Sequence, residues 1–233
     1  MASPKDIFLN GCVEIDNALS AHGFKSLQKG QMLKKPLSAD KDITGEIHFQ
    51  SSHLNSAGHI IVWPHISICS KQLKKWHQEQ TGNPNATGVV YSNQLGFFTP
   101  RKQWTDWNLA GASYAQSVSD IAQAVHDYVL PVFELFADKS QAIAFLQANG
   151  TQFHPWLEKS LQPMAFMLCF APTGAAQGFF DNFVSHCAYQ KRVRQLYQSL
   201  AQAQHIDLNH SEFIGAATIK LAYVHGLTVG KAA

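Results

Sequence analysis

Charge is scarce in this chain. Asp, Glu, Lys and Arg make up 15% of the 233 residues, against roughly 25% in an ordinary soluble domain. The formal net charge of +2 offers no electrostatic footprint for nucleic acid or an acidic partner. Long apolar runs are missing too. No stretch reaches the roughly 18 consecutive apolar residues that a membrane helix needs, so no membrane partner is expected. The four cysteines, Cys12, Cys69, Cys169 and Cys187, are far apart and form no CxxC pair. They read as reduced thiols in a cytoplasmic protein. Met1–Phe8 carries Lys5 and Asp6 and leads into no apolar core, so no export leader is expected. The chain has no Gly-x-Ser-x-Gly, phosphate-cradling GxxxxGK[ST], GxGxxG or HExxH. No catalytic residue, metal site or cofactor is therefore assigned, and whether the chain is an enzyme stays open.

What is present organises around Ile43–Ser70. One strand is expected near Gly45–Ser52, a loop through Asn55–Gly58, and a long strand over His59–Ser70. In the second strand Val62, Pro64, Ile66 and Ile68 alternate with Trp63, His65, Ser67 and Cys69, a period of two that gives the strand two faces. Pro64 lacks a ladder donor and predicts an edge or a bulge there. Before the hairpin, Ser3-Pro4 opens a helix with Asp6 in its first turn. Phe8, Cys12, Ile15 and Leu19 form its apolar stripe. After the hairpin, Ser70 caps a short helix closed by Gly82, and Val89–Phe98 reads as another strand with Gly96 as a possible bulge. Thr99–Gly111, with Trp104 and Trp107, reads as an ordered loop.

From Ser117 onward the pattern is helical. Pro131 should kink or break the first helix of that half. Ala175–Ala203 is expected to be the longest helix, and Asn209–Glu212 to start the last one. The predicted class is α+β: an antiparallel sheet of about four strands with an α-helical C-terminal half packed against it. The expected division is an α+β domain over residues 1–150 and a helical extension over 151–233, with Gly150 as the boundary if there is one.

Three stretches carry a resemblance. The helix ending His22-Gly23-Phe24-Lys25, the strand Ile47-His48-Phe49-Gln50-Ser51-Ser52 and the helix pair carrying Val129-Leu130-Pro131 resemble a group of uncharacterised bacterial domains of unknown function. The likeness covers roughly Ile15–Gly150. It implies an α+β fold and no activity.

Two constellations offer chemistry. The hairpin carries His48, His53, His59 and His65 with Glu46 nearby, and Glu46, His48 and Gln50 share one face of its first strand; which faces of the two strands align is left open by the sequence. Imidazoles with a carboxylate suit a transition metal. The opposing consideration is that a chain with twelve histidines places several near any hairpin. The second constellation is Trp63, Trp104 and Trp107. Tryptophan is large, rigid and half polar, so it can line a binding groove; equally, the three can close the end of the sheet. The leading expectation is a non-enzymatic binding or protein-interaction module with an unknown protein or small-molecule partner. Its expected binding residues are Glu46, His48, Gln50, Trp63, His65, Trp104 and Trp107. The alternative is a metal-dependent hydrolase using the histidine-rich hairpin.

Overall fold

The computed structural model describes residues 3–230. In chain order it contains helix α1 (Pro4–Ala18), strands β1 (Lys25–Leu27), β2 (Met32–Pro36), β3 (Ile43–Ser51) and β4 (Ile61–Ser70), helix α2 (Lys71–Thr81), strand β5 (Val89–Gln94), helix α3 (Leu95–Phe98) and strand β6 (Trp107–Asn108). Helices α4 (Tyr114–Ala124), α5 (Leu130–Leu135), α6 (Lys139–Asn149), α7 (Met164–Phe170), α8 (Thr173–His186), α9 (Gln190–Gln202) and α10 (Ala216–Val224) complete it. The class is α+β, as expected. The antiparallel sheet runs β1-β2-β3-β4-β5, with β6 also paired to β4. It exceeds four strands because two short pieces, β1 and β6, join it.

The chain divides into two compact units. The first runs from the start of the chain to Cys69 and resumes over Ser92–Ala137. Its opening helix forms as the sequence predicts. The Ser3 hydroxyl accepts from the Asp6 N–H, and Asp6 accepts from the Ser3 N–H, a reciprocal capping box. Phe8, Cys12, Ile15 and Leu19 are all buried. On β4, Val62, Pro64, Ile66 and Ile68 are buried, whereas Trp63, His65, Ser67 and Cys69 are half-buried. The buried face of β3 includes Gly45, whose missing side chain admits the ring of Phe133 on α5.

Pro64 is not on an edge strand, since β4 lies between β3 and β5. Leu109 N–H donates to Ile60 O, so Ile60, Val62 and Pro64 turn their backbone groups toward β6. Strand β6 ends with the Trp107–Val62 pair, one step before the position where Pro64 would have to donate. The proline therefore falls just beyond the β6 pairing, where β6 requires no donor from it. The connection from β3 to β4 is completed by a side chain: Asn55 Oδ1 accepts from Ile61 N–H at 2.8 Å while Asn55 Nδ2 donates to Ile61 O at 3.2 Å.

Two further segments depart from expectation. Val89–Phe98 is a strand only to Gln94. The Gln94 side chain accepts from the Gly96 N–H and caps a single helical turn, and a Cβ on Gly96 would lie 2.3 Å from Gln103 O. Gly96 thus serves close approach and not a bulge. At Pro131 the α-helix is interrupted, as expected, but the helical run continues through it. Between α4 and α5 the chain inserts one π-helical turn, Val125–Val129. The wider register relieves the clash of the proline ring with the carbonyl four residues back.

The second unit comprises Ser70–Tyr91 and Asp138 to the end of the chain. Helix α7, Met-Ala-Phe-Met-Leu-Cys-Phe, is apolar nearly all round, as a helix surrounded by others must be. It packs against α2, α6, α8 and α10. The long helix expected over Ala175–Ala203 is two helices. Cys187 leaves α8 in an extended conformation, and the ring of Tyr189 lies between Phe183 and Phe213, with centroids 6.1 and 5.8 Å away. That tertiary contact overrides helix propensity. The last helix starts at Ala216, not at Asn209–Glu212. Lys220, only 4% exposed, donates to Asp207 O and His210 O and pairs with Glu212 Oε1 at 2.7 Å. All three of its protons are used, and the segment it clasps is held out of a helix.

Within this unit Ser70 Oγ accepts from Leu73 N–H at 3.0 Å and caps α2 from a buried position. Ser70→Ala should cost about 1 kcal/mol of stability, read as a lower urea midpoint. A midpoint unchanged within error would show that the cap contributes nothing.

Candidate functional site

The period-two alternation of β3 sends Thr44, Glu46, His48 and Gln50 to the sheet face opposite Gly45, Ile47 and Phe49. Strand β2 adds Lys34, directly across from Glu46. The three side chains meet. Lys34 Nζ lies 2.6 Å from Glu46 Oε1, and His48 Nε2 lies 3.0 Å from Glu46 Oε2. Thr44 Oγ1 donates to Glu46 Oε1 at 3.4 Å. Glu46 is 8% exposed. The hydrogen bond from His48 pulls its carboxyl down to about 2; burial opposes that pull, and Lys34 adds to it. At neutral pH Glu46 is therefore a fixed anion and an acceptor only. A carboxyl held so low is a poor proton acceptor for catalysis.

On β4 the same alternation gives Trp63, His65, Ser67 and Cys69. Trp104 reaches this row from the loop before β6. Its ring stands edge-on to both Trp63 and His65, at centroid distances of 5.6 and 5.4 Å. Asp106 Oδ1 accepts from Trp63 Nε1 at 2.6 Å and fixes that indole. Trp104 itself is 48% exposed. Burial, helped by the charge of His48, lowers the pKa of His65, which keeps this imidazole neutral. Among the described residues its Nε2 is buried and has no hydrogen-bond partner. Further along, the Ser67 and Ser92 hydroxyls lie 2.9 Å apart. Burial, reinforced by the Glu46 carboxylate, pushes the Cys69 thiol up to about 12. It remains protonated and is no nucleophile.

Glu46, His48, Trp63, His65 and Trp104 thus share one sheet face. Gln50 lies farther along β3 and is exposed. Trp107 belongs to the other face, because it pairs with Val62, one of the buried positions of β4. It is 4% exposed, and the Arg101 guanidinium stands 6.0 Å above its ring. His53 and His59 are exposed in the connection between β3 and β4. Among the described residues no group of three or more His, Cys, Asp or Glu is placed to hold a metal ion. Reasoning from sequence missed Lys34 and Asp106. Lys34 is placed by the β2–β3 register, for which the sequence carries no signal; for Asp106 the signal was an acid between two tryptophans.

Among the described residues no helix is long and apolar enough to cross a membrane. A family model described as "Domain of unknown function (DUF4304)" matches residues 15–135. That span includes β2, β3, β4 and the loop carrying Trp104 and Asp106. Neither the curated proteins nor the solved structures yield a match.

Proposed function

This chain belongs to the DUF4304 family, and from that premise we propose that it is a non-enzymatic binding module whose recognition surface is the face carrying Lys34, Glu46, His48, Trp63, His65 and Trp104. The observation that carries this reading is Trp104. It is a half-exposed indole held edge-on by Trp63 and His65, beside a carboxylate held by the Lys34 ammonium and the His48 ring. An orientation fixed before binding saves the entropy of ordering it on contact. The matching ligand has a flat apolar face to lie on Trp104 and polar groups to reach His65 and His48. A small cyclic molecule fits that description, as does an aromatic or cyclic side chain of a partner protein. The four cysteines, none of them in a disulfide, suit a reducing compartment and support a cytoplasmic setting.

A thermal-shift panel of sugars, nucleotides and short aromatic peptides tests this, with wild type, Trp104→Ala and His48→Ala side by side. A ligand at 100 times its Kd adds about 2.7 kcal/mol, and that increment should be lost or cut at least tenfold in affinity in Trp104→Ala. The hydrolase reading predicts instead that divalent metals shift the wild type, that a chelator reverses the shift, and that His48→Ala and His65→Ala abolish it. A ligand shift that survives Trp104→Ala unchanged would remove this face from the reading.

A further inference from the structure

The first unit holds a second arrangement that uses none of the residues of the sheet face. His22 ends the 3-10 turn Ser20–His22 that follows α1. His126 lies in the π-helical turn Val125–Val129. Their rings approach across an open groove of about 430 Å³ whose lining includes both imidazoles, Gln123 and Ser119. The ring centroids are 5.6 Å apart and the planes are inclined by 54°. Two imidazoles that share one tetrahedral ion at N–metal distances of 2.0–2.1 Å have ring centres roughly 5 Å apart. The observed spacing is within a small side-chain adjustment of that.

One ring is also oriented as a metal ligand is. Asp127 Oδ1 lies 2.8 Å from His126 Nδ1, and Gln123 Nε2 donates to the same oxygen at 2.8 Å. An ionised carboxylate only accepts, so Nδ1 carries the proton and the Nε2 lone pair is left free. A carboxylate behind the non-ligating nitrogen is the usual support of a metal-bound histidine. The π turn adds a further observation. Single π turns inside α-helices are rare and recur at functional positions, and this one carries both His126 and Asp127. Both imidazoles are open to solvent: His126 is exposed and His22 half-buried.

We infer that His22 and His126 form a two-imidazole site for a divalent transition metal of the copper, nickel or zinc class, with Asp127 as the positioning residue. Water completes the coordination, since among the described residues no group of three or more His, Cys, Asp or Glu is placed to hold an ion. A site of two neutral nitrogens favours Cu²⁺ over Ni²⁺ and Zn²⁺. Ligands must be unprotonated, so affinity falls on acidification.

The test is titration of the full chain at pH 7.5 with Cu²⁺ and, separately, Ni²⁺ by calorimetry. It is combined with NMR of the histidine ring signals at substoichiometric Cu²⁺. Expected are one ion per chain with two-nitrogen hyperfine structure in the Cu²⁺ spectrum, and His22 and His126 as the first rings to broaden. His22→Ala and His126→Ala should each weaken binding at least tenfold, and Asp127→Asn about tenfold. With twelve histidines present, weak binding elsewhere is a real competitor. Broadening of other histidines first, retention of full affinity in the His22→Ala/His126→Ala double variant, or no stoichiometric binding would each overturn the inference. The NMR arm uses wild-type protein, so a variant that fails to fold does not rescue it.

Discussion

Gly45→Val should destabilise the first unit by about 3 kcal/mol or more, the size expected of a severely overpacked core. Glycine in the middle of a strand ordinarily weakens it by about 0.5–1 kcal/mol relative to alanine, so its presence in β3 needs a compensating reason. The reason is the ring of Phe133, which occupies the space a side chain would fill. A Cβ at position 45 would lie 2.5, 2.7 and 2.8 Å from three of its carbons. That ring cannot step aside easily: Phe133 is 2% exposed and leans on Phe24, with centroids 6.4 Å apart. Gly45→Ala should already cost about 1–3 kcal/mol. The discriminating measurement is a double-mutant cycle by urea denaturation with Phe133→Leu. If the ring is the obstacle, the two changes should couple by about 1 kcal/mol or more, the double variant being more stable than the sum of its parts. Additive costs would mean that position 45 resists a side chain for a backbone reason unrelated to Phe133.

Gly45 also illustrates what could be read before the fold was known. Local chemistry was legible. The Ser3–Asp6 capping box, the stripe of α1, the cap at Ser70 and the alternation of β4 each follow from neighbours within four residues. So did the shared face of Glu46 and His48, since a period of two is built into any strand. What escaped was set by distant partners. Which residue stands opposite Glu46 depends on the β2–β3 register, and nothing in the sequence marks Lys34 as that residue. Trp107 looked equivalent to Trp104. A two-residue strand placed it beside Val62 instead, and a one-residue shift in register would have sent it to the other face. The helix break at Cys187–Tyr189 contains neither proline nor glycine; it is imposed by the aromatic neighbours of Tyr189. The late start of α10 is imposed by Lys220, whose three acceptors come from the segment that would otherwise have coiled. The same rule holds throughout: side chains that bond within a turn announce themselves, and those that bond across the fold do not.

Lowering the pH from about 5 to about 2.5 should remove stability specifically from the Lys34–Glu46–His48 cluster. The sign follows from the direction of the shift. The folded carboxyl of Glu46 titrates near 2 and an unperturbed glutamate near 4.5, so between those values the unfolded chain binds a proton that the folded chain refuses. Stability from this group is complete above about 4.5 and is lost as pH falls through the folded value. The full displacement corresponds to about 3 kcal/mol, and about 2 kcal/mol is the better expectation because both partners are screened by solvent: their side chains are 35% and 42% exposed. Urea midpoints at pH 6, 4.5 and 3 for wild type and Glu46→Gln make the test. The amide should be less stable than wild type by about 2 kcal/mol at pH 6, and the difference should shrink steadily below pH 4.5, closing only at and below about pH 2, where the wild-type carboxyl is itself protonated. The hydrogen bond from His48 is the largest cause of the shift, so His48→Ala should flatten this acid limb more than Lys34→Met does. A difference between Glu46→Gln and wild type that stays constant over the whole range would mean the pair interacts through shape alone. The functional consequence rests on the same numbers. A carboxylate that stays charged down to pH 3 is a permanent acceptor for a ligand's N–H or O–H group, and Lys34 and His48 are already arranged around it before any ligand arrives.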